Sequence, residues 1–358
     1  MLTYKRKLIL SKRQQSRIES WIGACRVVYN LGLEIKVAAY KNKQISVSKF
    51  DLMKQLTTIK DIDWIADVPS QSLQNVMDRL DNSYKKFFSG GGFPKFANKR
   101  GYRSILLKSV NVVGNKVVLP KLGKVKMFKD GEIKGTPKTA TIIKEPTGYF
   151  ICITCDNIIK NIQSKDESQI LGIDMGITYF AVDSNGKFIA NPKHFKKYED
   201  KLRIENRSLA RKKKGSKSWC NQAKKLSLLH HKIGNVRKDF LHKESTKIAK
   251  ATHTVFLEDL NIKGMSRNKK LSKHILDAGW GMFKTMLEYK TNVIKINPKF
   301  TSQTCNECGT KDAKSRLSQS EFVCTSCGHV SNADLNAAKN IMGKGISLNR
   351  QREALACA

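Results

Sequence analysis

Between Thr301 and Ile341 the chain carries Cys305-Asn-Glu-Cys308-Gly309 and, with fifteen residues between the two cysteine pairs, Cys324-Thr-Ser-Cys327-Gly328, so that few folds remain open to this stretch. Two CxxC pairs at that spacing match a four-cysteine zinc ribbon. The glycine behind each pair lets the backbone turn tightly under a metal held by two thiolates. Two disulfides or four unrelated buried thiols are the alternatives, and the repeated CxxC-Gly knuckle favours zinc. Five residues beyond Cys327 begins Asn332-Ala-Asp334-Leu-Asn-Ala-Ala-Lys-Asn-Ile341. A structural module that delivers Asp334 onto a new helix suggests an insertion inside a catalytic domain.

The chain has 358 residues, enough for two or three domains with real cores. Its 67 basic and 30 acidic residues give a formal charge of +37, spread along the whole length. Such an excess points to an extended polyanion, hence nucleic acid, and does not by itself name an activity. Of nine cysteines, Cys25, Cys152, Cys155, Cys220 and Cys357 lie outside the ribbon and show no regular pairing, which fits a reducing compartment. Cys152 and Cys155 form a third CxxC, but on a strand positions three apart face opposite sides, so that pair reads as structural. With no run of eighteen apolar residues and no signal-peptide pattern, a soluble, cytoplasmic, nucleoid-associated protein without membrane contact is expected.

In chain order, Met1–Leu10 reads as a strand. Ser11 caps a helix carrying Ile18, Trp21, Ile22, Cys25, Val28 and Tyr29 at helical spacing. A separate helix is expected from about Gly32 to Lys41, and Ser48 opens a third. Pro69-Ser70 starts a helix with the apolar stripe Leu73, Val76, Met77, Leu80, Tyr84, Phe87 and Phe88. Its polar first turn could present Gln71 and Gln74 to bases. Ser89-Gly-Gly-Gly-Phe-Pro94 ends that helix, and Lys95, Lys99, Arg100 and Arg103 cluster after it as a candidate phosphate-contacting patch. Six short strands between Ser104 and Thr154 follow. Strand, helical insertion, then short strands suggests a small β-barrel interrupted by helices.

A polar linker, Asn161–Ser168, leads to the apolar strand Ile170-Leu-Gly-Ile-Asp174 and a hairpin through Asn185-Gly186. From Lys193 to Lys250 two helices hold 19 Lys and Arg against five carboxylates, meeting near Arg211, Lys212, Lys213 and Lys214. So few acids make this a nucleic-acid-facing hairpin rather than an ordinary solvated surface. Thr254-Val-Phe-Leu-Glu258-Asp259 is another apolar strand ending in carboxylates. An amphipathic helix near Gly279–Tyr289 and the strand Asn292–Ile296 then reach the ribbon.

Asp174 and Glu258 thus end buried strands, and Asp334 opens a helix. A hairpin after the first strand, an acid on a later strand and a third acid on a C-terminal helix is the order of an RNase H-like core. There, distant carboxylates converge on two divalent metals about 4 Å apart, one activating water and the other stabilising the leaving 3′-oxygen. Carboxylate sites of this kind suit Mg²⁺ (or Mn²⁺). Spacing alone does not choose between Glu258 and Asp259.

Asp174-Met-Gly, Glu258-Asp-Leu-Asn-Ile-Lys-Gly-Met265, Trp280 with Leu287-Glu-Tyr-Lys290, Thr301-Ser-Gln-Thr-Cys305, both knuckles and Asn332–Ile341 together resemble the TnpB (OrfB) family, transposon-associated proteins related to type V CRISPR effectors. The N-terminal half is similar too, through Cys25-Arg-Val-Val-Tyr-Asn30, Pro69–Leu73, Phe87-Phe88, Gly92-Phe-Pro-Lys-Phe96 and Leu119–Gly123. Asn292 replaces an expected glycine, a minor departure. The resemblance implies a wedge-like β-barrel (1–10 and 90–160) carrying a helical recognition insertion (11–89). A RuvC-like nuclease domain (168–300 and 331–358) interrupted by the zinc ribbon (301–330) would follow. It also implies that Asp174, Glu258 and Asp334 are the nuclease acids and that Cys305, Cys308, Cys324 and Cys327 hold zinc. A guide RNA from the transposon end and cleavage of DNA, through double- and single-stranded stages, beside a short motif complete the expectation, with sequence reading left to base pairing. Competing readings are a DNA-strand transferase on the same core, a non-catalytic RNA-guided regulator, and a zinc-ribbon binder without enzymology. No helix-turn-helix pattern supports the first, and the retained acids oppose the others.

Overall fold

A computed structural model of the chain describes residues 2–108, 110–156, 168–268 and 271–356, with only the backbone of residues 60 and 352–356. The expected linker falls almost wholly outside these residues, as does Cys357. The chain divides into two compact units, Met1–Lys160 and Asn161–Ala358. Among the described residues no helix is long and apolar enough to cross a membrane.

The N-terminal unit begins with β1 (Leu2–Ile9), followed by α1 (Lys12–Lys43), α2 (Lys49–Thr58), α3 (Asp63–Ala66) and α4 (Ser70–Phe88). Ser11 and Ser48 each close a capping box, with Gln14 and Asp51 respectively, so both helix starts lie where the sequence put them. The expected break at Gly32 does not occur, and α1 runs on for 32 residues. Gly32 is instead a close-packing position: a Cβ there would sit 3.1 Å from Leu80 Cδ2 and 3.4 Å from Met77 Sδ. The six later strands are β2 (Ser104–Lys108), β3 (Asn111–Val113), β4 (Lys116–Leu119), β5 (Gly123–Met127), β6 (Thr136–Glu145) and β7 (Gly148–Asp156).

These strands form one antiparallel sheet in the order β2-β6-β7-β1-β5-β4-β3. The first strand joins its halves, pairing through Leu2–Lys7 with β7 and through Leu8–Ile9 with β5. The expected barrel is therefore corrected to an open sheet, since no ladder joins β2 to β3 among the described residues. The link between these two edge strands carries buried Val110 where a hairpin would need turn residues. In β7, Cys155 is buried and Cys152 is not, as alternation requires.

The C-terminal unit contains β8 (Ile170–Asp174), β9 (Tyr179–Asp183), β10 (Phe188–Ala190), the basic pair α5 (His194–Ala210) and α6 (Lys217–Ala251), and β11 (Thr254–Glu258). Then come α7 (Ile262–Met265), α8 (Ser272–Ala278), α9 (Trp280–Glu288), β12 (Asn292–Ile296), the ribbon strands β13 (Glu321–Val323) and β14 (Val330–Asn332), and α10 (Ala333–Ala356). Five strands form a mixed sheet in the order β10-β9-β8-β11-β12. The first three pair antiparallel, while β11 and β12 run parallel to β8.

Alternation assigns each sheet face a partner. Leu171, Ile173, Val255 and Leu257 join a core with Leu241, Phe283 and Leu287 from α6 and α9. Phe256, Ile294 and Ile296 pack with Ile341 of α10 on the other face. Two glycines let α10 lie flush there. A Cβ on Gly172 would be 2.3 Å from Ala338 O, and one on Gly345 would be 2.1 Å from the Phe256 ring.

Candidate functional site

The same alternation places the acids. Gly172 faces α10, so Asp174, two residues on, does too; Phe256 faces α10, so Glu258 follows. The parallel register pairs Phe256 with Gly172 and Leu257 with Ile173, which makes Glu258 and Asp174 the next neighbours at the strand ends. Asp334 enters from the helix. Asn332 caps α10 by accepting from the Asp334 and Leu335 amides at 3.0 and 3.2 Å, which fixes Asp334 in the first turn.

All three acids line one cleft of about 310 Å³, walled by Trp280, Pro298, Thr301 and Arg316. Burial, then the charges of Glu258 and Asp334, push the Asp174 carboxyl up to about 7. Glu258 is raised by burial against the opposing bond from Thr301, whose hydroxyl donates to Oε1 at 2.5 Å. Burial also raises Asp334, opposed by the Arg316 guanidinium, which donates to Oδ1 at 3.2 Å. A carboxyl whose ionisation is disfavoured by burial and by two neighbouring acids in an oxygen-rich cleft suits hard divalent cations. The three acids' oxygens nevertheless do not gather within 4.8 Å as a set. Neighbouring Asp259 turns away, paired with Lys284 at 2.6 Å and largely exposed. Of the two carboxylates that spacing left open, Glu258 lines the cleft and Asp259 does not.

Arg316 was not singled out from the sequence. Its signal was faint, one basic residue between the two knuckles, eight residues before Cys324. Asn336 and Asn340 stand out in the sequence only as part of a motif, and in the structure they tie α10 to the ribbon entrance. Asn336 donates to Thr304 O at 2.8 Å, and Asn340 to Thr301 O at 2.9 Å.

The four ribbon cysteines do converge, all sulfurs lying within 4.8 Å of one another. Cys305 and Cys327 are 3.8 Å apart at sulfur, and Cys308 and Cys324 3.6 Å. A tetrahedral zinc with bonds of about 2.3 Å needs sulfur separations of about 3.8 Å, so the donor set fits. The two knuckles repeat each other. Gly309 N donates to Cys305 O and Gly328 N to Cys324 O, both at 3.0 Å, with left-handed φ of 74° and 69°. Only glycine adopts that backbone at little cost.

The nucleic-acid candidates lie elsewhere. Gln71 is half-buried and Gln74 exposed on the first turn of α4, while Lys95 and Arg100 are exposed beyond its end. Arg211, Lys213 and Lys214 are exposed between α5 and α6, and Lys212 lines a groove of about 490 Å³ with Lys217, Asn221 and Lys225. None of them lines the acid cleft.

An OrfB profile described as "Probable transposase" matches residues 150–269, a "Cas12f1-like, TNB domain" profile matches 280–341, and a "Helix-turn-helix domain" profile matches 1–44. Under that last description the structure has one strand and one uninterrupted helix. Escherichia coli (strain K12) has a relative named "Putative RNA-guided DNA endonuclease InsQ", 30% identical, with 96% of this chain and 92% of that protein aligned. One from Streptomyces pristinaespiralis, named "Putative RNA-guided DNA endonuclease", is 28% identical over 96% of this chain and 89% of its own length. The fold is similar to the protein in a cryo-EM structure of a Cas12f1–sgRNA–target DNA complex, with a TM-score of 0.60, 15% identity, and 93% and 83% of the two chains covered. Acids and cysteines in this order, on this fold, and near-full-length identity to these relatives mean that the chain belongs to the TnpB (OrfB) family, related to the type V CRISPR effectors.

Proposed function

We propose that the protein is an RNA-guided, metal-dependent DNA endonuclease of transposon origin, cutting target DNA beside a short adjacent motif. The meeting of Asp174, Glu258 and Asp334 in one cleft carries this reading. The sheet order, three antiparallel strands and then two parallel ones, supports an RNase H-like, RuvC-like nuclease domain over 168–300 and 331–358. The open sheet (1–10 and 90–160) and the helices between (11–89) are assigned to motif reading, with Gln71 and Gln74 as candidate base contacts.

Mg²⁺ or Mn²⁺ held by the three acids would activate a water and stabilise the leaving 3′-oxygen. The protein's own part is to bring two strand-end carboxylates and one from the start of α10 into a single cleft. Thr301 orients Glu258, and Arg316 partly offsets the acids' mutual repulsion. Arg316 is also placed to meet a phosphate once Asp334 engages a cation. Structural Zn²⁺ held by the four cysteines would keep the ribbon folded and so fix the start of α10. The net charge of +37 suits a guide RNA and its DNA target, and the α5–α6 turn is the proposed backbone contact.

The test is cleavage of a matched DNA duplex by the purified protein with its co-purified RNA and Mg²⁺. Asp174→Ala should abolish the cut and leave RNA binding nearly intact; full cleavage by this variant removes Asp174 from the site. Replacing Lys212, Lys213 and Lys214 by Gln should weaken nucleic-acid binding and lower the salt slope by roughly 2 to 3. An unchanged slope makes that turn a solvated surface.

A further inference from the structure

Four aromatic rings gather where α4 ends. Phe93 stands edge-on to Tyr84 and Phe87, with centroids 5.8 and 5.3 Å away, and Phe88 lies 5.3 Å from Phe87. A cluster this dense ordinarily belongs to a core, yet Phe88 is 79% exposed and Phe93 49%, and Phe96, three residues further along the chain, is 59% exposed. Contiguous exposed apolar surface invites association, so its retention marks a contact site.

The rings are held outward by backbone. Gly90 N donates to Phe87 O at 3.0 Å, and Gly91 N to Lys86 O at 2.8 Å. A Cβ on Gly91 would lie 2.6 Å from Lys86 O, so only glycine lets the chain fold back this tightly. Pro94 is buried beneath the exposed Phe93 and Lys95 segment. Asn30 then clamps Ala97 in both directions, donating to its carbonyl at 3.1 Å and accepting from its amide at 2.7 Å. Exposed Lys86 and Lys95 alternate with the rings.

We infer that Phe88, Phe93 and Phe96 form a stacking platform for unpaired bases of the bound RNA, with Lys86 and Lys95 on its phosphates. Rigid exposed rings interleaved with lysine are how proteins hold single strands without reading sequence, since every base has a π-face. An acidic or apolar protein partner would leave the lysines or the rings without purpose. RNA is favoured over transient DNA because a permanently exposed apolar platform needs a partner that stays. This inference rests on the proposed guide-RNA partnership.

The experiment uses the full-length protein and a fluorescent twelve-nucleotide oligouridine, compared with oligothymidine. Phe88→Ala with Phe93→Ala should weaken oligouridine binding at least about tenfold, from the usual value of a base–aromatic stack. Phe88→Trp alone should stay within about twofold of wild type, whereas Phe88→Leu, which keeps apolar area without a π-face, should behave like Phe88→Ala. Unchanged affinity in the double variant, with its unfolding midpoint kept, overturns the platform and leaves the guide reading standing. A wild-type protein that binds no RNA overturns both. A greater loss for oligothymidine than for oligouridine overturns the RNA assignment in favour of a DNA strand. Loss of a dimer by light scattering without loss of RNA affinity makes the surface a self-contact and overturns the inference.

Discussion

In the ribbon four sulfurs lie within 4.8 Å of one another, whereas three carboxylates share a cleft of about 310 Å³ without their oxygens gathering to that span. The difference follows from what holds each set. Every cysteine pair is fixed by its own backbone knuckle, duplicated down to the 3.0 Å amide bond of its glycine. The acids come from two strand ends and a helix start; burial and the charges of Glu258 and Asp334 raise the Asp174 carboxyl, while Glu258 accepts from Thr301 and Asp334 from Arg316. A structural metal site is assembled by local chain geometry. On the proposed reading the catalytic site is left open, so that cations and substrate would complete it.

The largest break in this comparison should come from the ribbon. Cys324→Ser should release the zinc, since a three-thiolate site no longer balances a fold that draws of order 10 kcal/mol from the metal. Metal analysis should show one zinc fewer per chain, limited proteolysis should cut between Cys305 and Cys327, and cleavage should vanish because α10 loses its fixed start. Full zinc content in this variant refutes the ribbon. Chelation of the wild type should reproduce the proteolysis pattern.

Asp174→Asn probes the other side. Cleavage should fall by at least about 10³-fold, the scale expected when a metal-holding acid is lost at a two-metal centre. Zinc content should not change, and the unfolding midpoint without divalent ions should hold or rise, because a buried carboxylate repelled by Glu258 and Asp334 has been removed. A lower midpoint would mean that the cleft is not strained.

Much of this contrast was legible in the sequence, for separable reasons. Knuckles are local: Cys-x-x-Cys-Gly specifies its own hydrogen bonds, so spacing alone sufficed. Asp174 and Glu258 were visible as strand ends because apolar runs terminate in them. Asp259 remained a rival until Lys284, 25 residues away, was found to hold it at the surface. Arg316 was hidden because its partner comes from an element that starts beyond the second knuckle. Gly32 misled for a related reason: a glycine that admits Leu80 and Met77 looks in one dimension like a helix break. The barrel failed because strand count is local, while closure depends on a ladder between edge strands.

Arg316→Gln sharpens the electrostatic part. Without divalent ions it leaves Asp334 in the cleft lacking its guanidinium, at a cost of about 1–3 kcal/mol. Saturating Mg²⁺ should narrow that deficit, because the cation supplies the missing positive charge. Thermal unfolding with and without Mg²⁺ measures it. Equal deficits in both conditions would show that Arg316 merely packs the ribbon against α10.

The smallest effect is expected at Thr301, which is buried and donates to Glu258. Thr301→Val keeps the shape and removes the donor, so Glu258 stays in the cleft but loses its fixed rotamer. A hydrogen bond to a charged group is worth about 1.5 kcal/mol at the low end, which corresponds to roughly tenfold. The loss should appear as a higher Mg²⁺ concentration for half-maximal cleavage, with the saturated rate nearly preserved, because cations can still pull Glu258 into place. If instead the saturated rate drops a hundredfold at unchanged Mg²⁺ dependence, Thr301 takes part in the chemistry. The cleft would then be more fully pre-assembled than its scattered oxygens indicate, and its contrast with the ribbon would shrink accordingly.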